Sequence, residues 1–287
     1  MIDKDNILIV SNHHRRSFLF ENSMIRLHDA GYHNIWIQDT GSEALGKYSG
    51  PHSKYWTIGS TSYDVGMTNI HKESRNTNFK YIIFIDNDCF LTGNSFFEDY
   101  LSSFIRDKYD FCSYHVKKEC YTSEYNYTDS VISEVKNQKI LPSDVYPYVI
   151  PKPHWENAYM IMNMEMYQRL TDDDVGHGRK WIAALVREKA KIGAIEADYK
   201  WNYSHYGKEW FHIGNLMSFI YKMEQNKPFN KSDKLAMSRL GYMFFMGEKF
   251  SYFDRLPKDK LLSITPDNDM SYPLEVWNEL VENTCME

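Results

Sequence analysis

At 287 residues and a net charge of −6, the chain can bury a full core without a disulfide or zinc staple, and its acidity speaks against broad, non-specific nucleic-acid binding, which needs a basic face. A hydrophobic fraction of 43% beside a charged fraction of 25% is that of an ordinary globular protein, and no apolar run approaches the length of a membrane span. The opening residues MIDKDNILIVSNHHRR lack a signal-peptide layout, and Cys89, Cys112, Cys120 and Cys285 lack metal-ligand spacing, so reduced thiols in a cytoplasmic protein are expected.

Taken in chain order, residues 7–11 (ILIVS) predict a first strand and residues 17–30 a helix, with Phe20, Met24 and Leu27 on one face and Gly31 as its stop. A second strand over 34–38 runs into the polar turn Asp39-Thr40-Gly41-Ser42, and a short strand at 55–58 and a weakly patterned helix at 64–76 follow. Residues 81–85 (YIIFI) form a continuous apolar run of the kind that is buried on both faces of a parallel sheet. A helix over 95–106 and a strand over 109–115 continue the alternation, which predicts an α/β fold: a mostly parallel central sheet flanked by helices.

Residues 117–156 are polar, rich in Tyr and punctuated by Pro142, Pro147, Pro151 and Pro153; they read as a long irregular segment over the sheet edge, a lid or an acceptor site. Beyond it come a strand at 158–163, a helix beginning MEMYQRL, a helix over 179–192 with Trp181, Ala184, Leu185 and Ile192 inward, and a mostly helical remainder. In that remainder Ala236, Leu240, Met243 and Phe244 share one apolar face.

The chemistry centres on Asp86-Asn87-Asp88, which closes the YIIFI run. Open α/β sheets bind ligands at the carboxyl ends of their strands, and two carboxylates there repel unless a cation sits between them. Hard oxygen ligands favour Mg²⁺ or Mn²⁺, ions that bridge to phosphate oxygens. The same letters recur at Asp267-Asn268-Asp269, but after Pro266 and with no strand before them, so that copy reads as a solvated turn. His13, His14, Arg15 and Arg16 follow the first strand as a basic cluster able to meet a diphosphate or simply to be solvated. Trp155, Trp201 and Trp210 could stack on a sugar face, although packing is the plainer role for each.

The stretch YIIFIDNDCF resembles the DxD segment of GT-A glycosyltransferases, and IWIQDTGS at 35–42 looks like that family's nucleoside-contacting turn. The resemblance spans roughly residues 5–215 and implies a GT-A-like catalytic region over 1–215, with 216–287 a helical extension packed on it. It implies a nucleotide-diphosphate sugar as donor, a UDP-sugar first among them, and Mn²⁺ or Mg²⁺ held by Asp86, Asp88 and His212 of FHIGN, with His205 as the other candidate histidine. Asp39 would hold the base or ribose, Arg75 would close on the nucleotide from its helix, and Asp86, His13 and Arg15 would line the diphosphate. The family's Glu-Asp pair at a late helix is missing, since that helix opens Arg179-Lys180-Trp181; Asp174 and Glu156 stand as candidate bases, and inverting and retaining chemistry both stay open. The acceptor would be a glycan or a modified DNA base. The alternatives are a metal-dependent nucleotidyltransferase and a non-catalytic carbohydrate- or nucleotide-binding protein.

Overall fold

The structure, a computed structural model, describes residues 2–13, 21–40, 48–59, 61–91, 93–115, 159–176, 181, 184–185, 187–196, 198–200, 203–206, 210–212, 216–230, 233 and 236. In chain order the elements are β1 (Ile7–His13), α1 (Glu21–Asp29), β2 (Ile35–Asp39), β3 (Lys54–Thr57), α2 (Tyr63–Ser74), β4 (Tyr81–Ile85), β5 (Cys89–Leu91), α3 (Ser95–Arg106) and β6 (Phe111–His115). They continue as β7 (Tyr159–Asn163), α4 (Met164–Arg169), β8 (Ile192–Glu196), β9 (Asp198–Lys200), β10 (Tyr203–Tyr206), β11 (Trp210–His212) and α5 (Leu216–Glu224).

The main sheet has the order β3-β2-β1-β4-β7-β6-β8. β1, β2, β3 and β4 run parallel, and β6 is parallel to β8, whereas β7 is antiparallel to both of its neighbours. The apolar runs of β1 and β4 are explained by cover on both sides. Leu8, Val10, Ile82 and Phe84 pack under Met67 and Ile70 of α2, Tyr167 of α4 and the helical Trp181 and Leu185. The alternate residues Ile7, Ile9, Ile83 and Ile85 pack under Met24 and Leu27 of α1 and Phe97, Leu101 and Phe104 of α3. The expected α/β architecture is therefore present, with one strand reversed.

A second sheet, ordered β5-β11-β10-β9 and antiparallel throughout, was not expected. Residues 192–212 contribute β8 to the main sheet and β9, β10 and β11 to this one, where the sequence predicted only the end of a helix at 192. The helix ends early because Lys189 takes a left-handed φ of 54° while Ala190 N–H bonds back to Leu185 O at 2.9 Å, so Ile192 opens β8 instead of facing inward from a helix. Of the expected helical extension over 216–287, α5 and the helical, buried Asp233 and Ala236 are described; residues 237–287 and the polar segment 117–156 lie outside the described residues. Among the described residues no helix is long and apolar enough to cross a membrane.

Candidate functional site

Because β1 to β4 are parallel, their carboxyl ends open on one edge, where ligands of open α/β sheets bind. The pairings of Ile85 with Tyr159 and of Phe111 with Met162 show that β6 ends and β7 begins at this same edge, so both flanks of residues 116–158 are anchored beside it.

Asp86 follows Ile85 directly, and a tight turn closed by Cys89 N–H to Asp86 O at 3.1 Å carries the chain into β5. Asn87 and Asp88 are buried in that turn, at 7% and 9% exposure. Two carboxylates this close, one nearly buried, are stable only with donors or a cation to compensate them. Tyr63, at the start of α2, donates its hydroxyl to Asp86 Oδ1 at 3.3 Å. From α1, Ser23 braces the turn: its Oγ donates to Cys89 O at 2.9 Å and accepts from Leu91 N at 3.1 Å. β11 pairs with β5 so that His212 lies opposite Cys89, which brings the His212 backbone alongside the residue that follows Asp88. The His212 side chain lies outside the described residues, as do the side chains of β10, His205 included. Among the described residues no three His, Cys, Asp or Glu side chains gather into a ready metal cage. Asp86 and Asp88 carry hard oxygen donors, the ligand type that Mg²⁺ and Mn²⁺ take.

Two strands away, Asp39 ends β2 opposite both His13 of β1 and Thr57 of β3. It is buried at 2% exposure and accepts a 2.6 Å hydrogen bond from Tyr55 Oη. Thr40 donates its N–H and its Oγ1 to His13 O, at 2.7 and 2.8 Å. Tyr48 stacks on Tyr55 with centroids 6.2 Å apart, meets the His13 ring edge-on at 5.7 Å, and His52 packs against both tyrosines. A carboxylate among aromatic rings can accept from a ribose hydroxyl or a base N–H while the rings offer stacking faces. Tyr48, His52 and Tyr55 were not singled out from the sequence; the aromatic pair in the 55–58 strand was the available signal.

The remaining candidates fare differently. His13 is completely buried, and burial lowers its imidazole to about 3 against the opposing pull of Asp39. Burial thus favours the neutral ring over the imidazolium. Arg75 sits at the C-cap of α2, the end that leads down to the start of β4, and pairs there with Asp172. Arg75 thus lies at the far end of α2 from Tyr63, the residue of this helix that reaches Asp86. Arg15 and Glu156 lie outside the described residues.

Asp174 has no contact described with the acidic turn. Arg187 Nη2 donates to its Oδ2 at 2.5 Å, and Thr171 adds its N–H and Oγ1, both at 2.8 Å. Burial pushes the Asp174 carboxyl up, but the Arg187 and Thr171 hydrogen bonds outweigh it and hold the group below the usual carboxylate range. A carboxylate so stabilised is a weak proton acceptor and acts as a staple between α4 and the helical residues near 187. Asp174→Asn is expected to cost about 1–3 kcal/mol at pH 7 in urea unfolding. The native carboxyl titrates lower than the unfolded one, so its contribution is complete above about pH 4 and fades as pH falls through the folded value. The variant should lack that acid limb.

No protein-family model matches the chain, and no curated protein matches it. Among solved structures it is similar to the bifunctional IspDF from Campylobacter jejuni, at 10% identity and TM-score 0.45, over 74% of this chain and 53% of that one. The chain thus spans about half the length of IspDF. It is similar to CMP:2-keto-3-deoxy-manno-octonic acid synthetase complexed with CTP, at 10% identity and TM-score 0.42, over 77% of this chain and 99% of that one. It is also similar to residues 1–349 of S. aureus TarS, at 9% identity and TM-score 0.42, over 98% of this chain and 83% of that one. Likeness at this level concerns architecture in outline and says nothing of this chain's substrates.

Proposed function

We propose that this chain is a metal-dependent glycosyltransferase that moves a sugar from a nucleotide-diphosphate sugar to an acceptor. The observation that carries the reading is the acidic turn Asp86-Asn87-Asp88 at the carboxyl end of β4, beside Asp39 on the same ligand edge and with the His212 backbone registered next to it. Asp88, with Asp86 and His212, would hold Mn²⁺ or Mg²⁺. Such an ion supplies charge neutralisation for the leaving nucleotide diphosphate. Asp39 accepts from the nucleoside, and the aromatic group of Tyr48 and Tyr55 lies beside it. The acceptor enters from the side where residues 116–158 leave and rejoin the sheet edge.

The test is a panel of sugar nucleotides incubated with the protein and Mn²⁺. Slow release of free sugar and nucleoside diphosphate from one donor, abolished by chelation, supports the reading. Pyrophosphate turnover from a nucleoside triphosphate and a sugar phosphate would replace it with nucleotidyl transfer. Neither turnover nor nucleotide binding would leave a non-catalytic binding protein.

A further inference from the structure

The first turn of α2 is held to the main sheet by amides. Asn12 of β1 donates from Nδ2 to Tyr63 O at 3.0 Å. Gln38 of β2 donates from Nε2 to Gly66 O at 2.6 Å and to Asn12 Oδ1 at 3.3 Å, and Asn69 donates to Gln38 Oε1. The relay Asn69–Gln38–Asn12–Tyr63 is largely buried, where such hydrogen bonds are strong and their loss is costly. Gly66 is the residue that permits this approach: a Cβ there would lie 2.7 Å from Asn12 Cγ, closer than any real contact. A lone Gly in the second turn of a helix lowers helix propensity by about 1 kcal/mol, so it has to serve something, and here it serves the docking of α2.

What the docked turn delivers is the Tyr63 hydroxyl at Asp86 Oδ1. We infer that Tyr63 is a positioning residue that fixes the Asp86 carboxylate for the divalent ion, and that the Asn12–Gln38–Gly66 dock exists to aim it. This rests on the function proposed above. A donated O–H favours the ionised carboxylate, fixes its rotamer and draws charge from it, which eases its approach to Asp88. The 3.3 Å separation is long beside the usual O–H···O distance of about 2.7–2.8 Å, so displacements of a few tenths of an ångström in α2 are enough to strengthen or lose it. Partners of this kind behind a metal ligand typically govern about 10- to 100-fold in affinity.

The experiment measures Mn²⁺ binding in the presence of UDP, by calorimetry and by the Mn²⁺ electron paramagnetic resonance signal, for wild type, Tyr63→Phe and Gly66→Ala. Tyr63→Phe keeps the ring and should retain the wild-type melting temperature and the wild-type affinity for UDP alone, while Mn²⁺ affinity falls about 10-fold. Gly66→Ala should lose Mn²⁺ affinity to a similar degree with the tyrosine intact, because α2 is pushed off Asn12. Tyr63→Phe binding Mn²⁺ within twofold of wild type would overturn the inference while leaving the proposed function standing. Wild type that binds no Mn²⁺ with UDP would overturn both.

Discussion

Asp88→Asn is expected to abolish metal-supported nucleotide-sugar binding, with a loss of about 100-fold or more, while the melting temperature changes little. The magnitude follows from rank: removing a partner behind a ligand costs about 10- to 100-fold, and removing a direct ligand costs at least the upper figure. Asparagine matches the aspartate in size, so the turn closed by Cys89 N–H to Asp86 O and braced by Ser23 keeps its shape. It cannot supply the negative charge that a hard divalent ion requires. Taking away one of two neighbouring carboxylates also removes repulsion from a nearly buried site, so stability should hold or rise slightly. Calorimetry with Mn²⁺ and a nucleotide sugar, beside a thermal melt, decides it. Retained metal-dependent binding by a folded Asp88→Asn protein would remove the acidic turn from the site. Asp269→Asn, in the second copy of the same three letters, should bind as wild type does.

The fold was legible where long apolar runs fix burial on two faces, as in β1 and β4, and where α3 follows a Ser-led amphipathic pattern. The direction of β7 was not, since YMIMN has the same composition read either way and only its partner decides that it runs against β4. β5, β9 and β11 have three residues each, too few for a period of two to show, and β5 finds its partner only far along the chain, Cys89 against His212. The helix before β8 carried no glycine stop because Lys189 supplies the left-handed turn. In the candidate site, the acids were legible because their place at a strand end is itself sequence information. Arg75 was placed on α2 correctly, but local pattern does not say that the first turn of this helix, through Tyr63, is the one that reaches Asp86. Tyr63 and the Asn12–Gln38 amides left only one trace, an isolated Gly66 inside a helical stretch, whose meaning needs the neighbouring strand.

Acid should destabilise this protein from about pH 6.5 downward through His13. Its ring is sealed at the end of β1, edge-on to Tyr48, with its carbonyl committed to Thr40. In the unfolded chain the imidazole takes up a proton near its ordinary 6.5, whereas in the folded protein burial delays this to about 3 despite the nearby Asp39. Between those values the unfolded state binds more protons, so stability falls as pH falls. At about 1.4 kcal/mol per pH unit the loss reaches roughly 2 kcal/mol by pH 5. This window lies above the one governed by Asp174, which opens only below about pH 4, so the two contributions separate on the pH axis. His13→Gln keeps a polar side chain of similar size that does not titrate. Urea unfolding at pH 7.5, 6 and 5 should show a flatter profile for the variant even if it starts lower. Parallel profiles would mean that the ring takes up its proton as readily in the folded state as in the unfolded one, and would overturn this account.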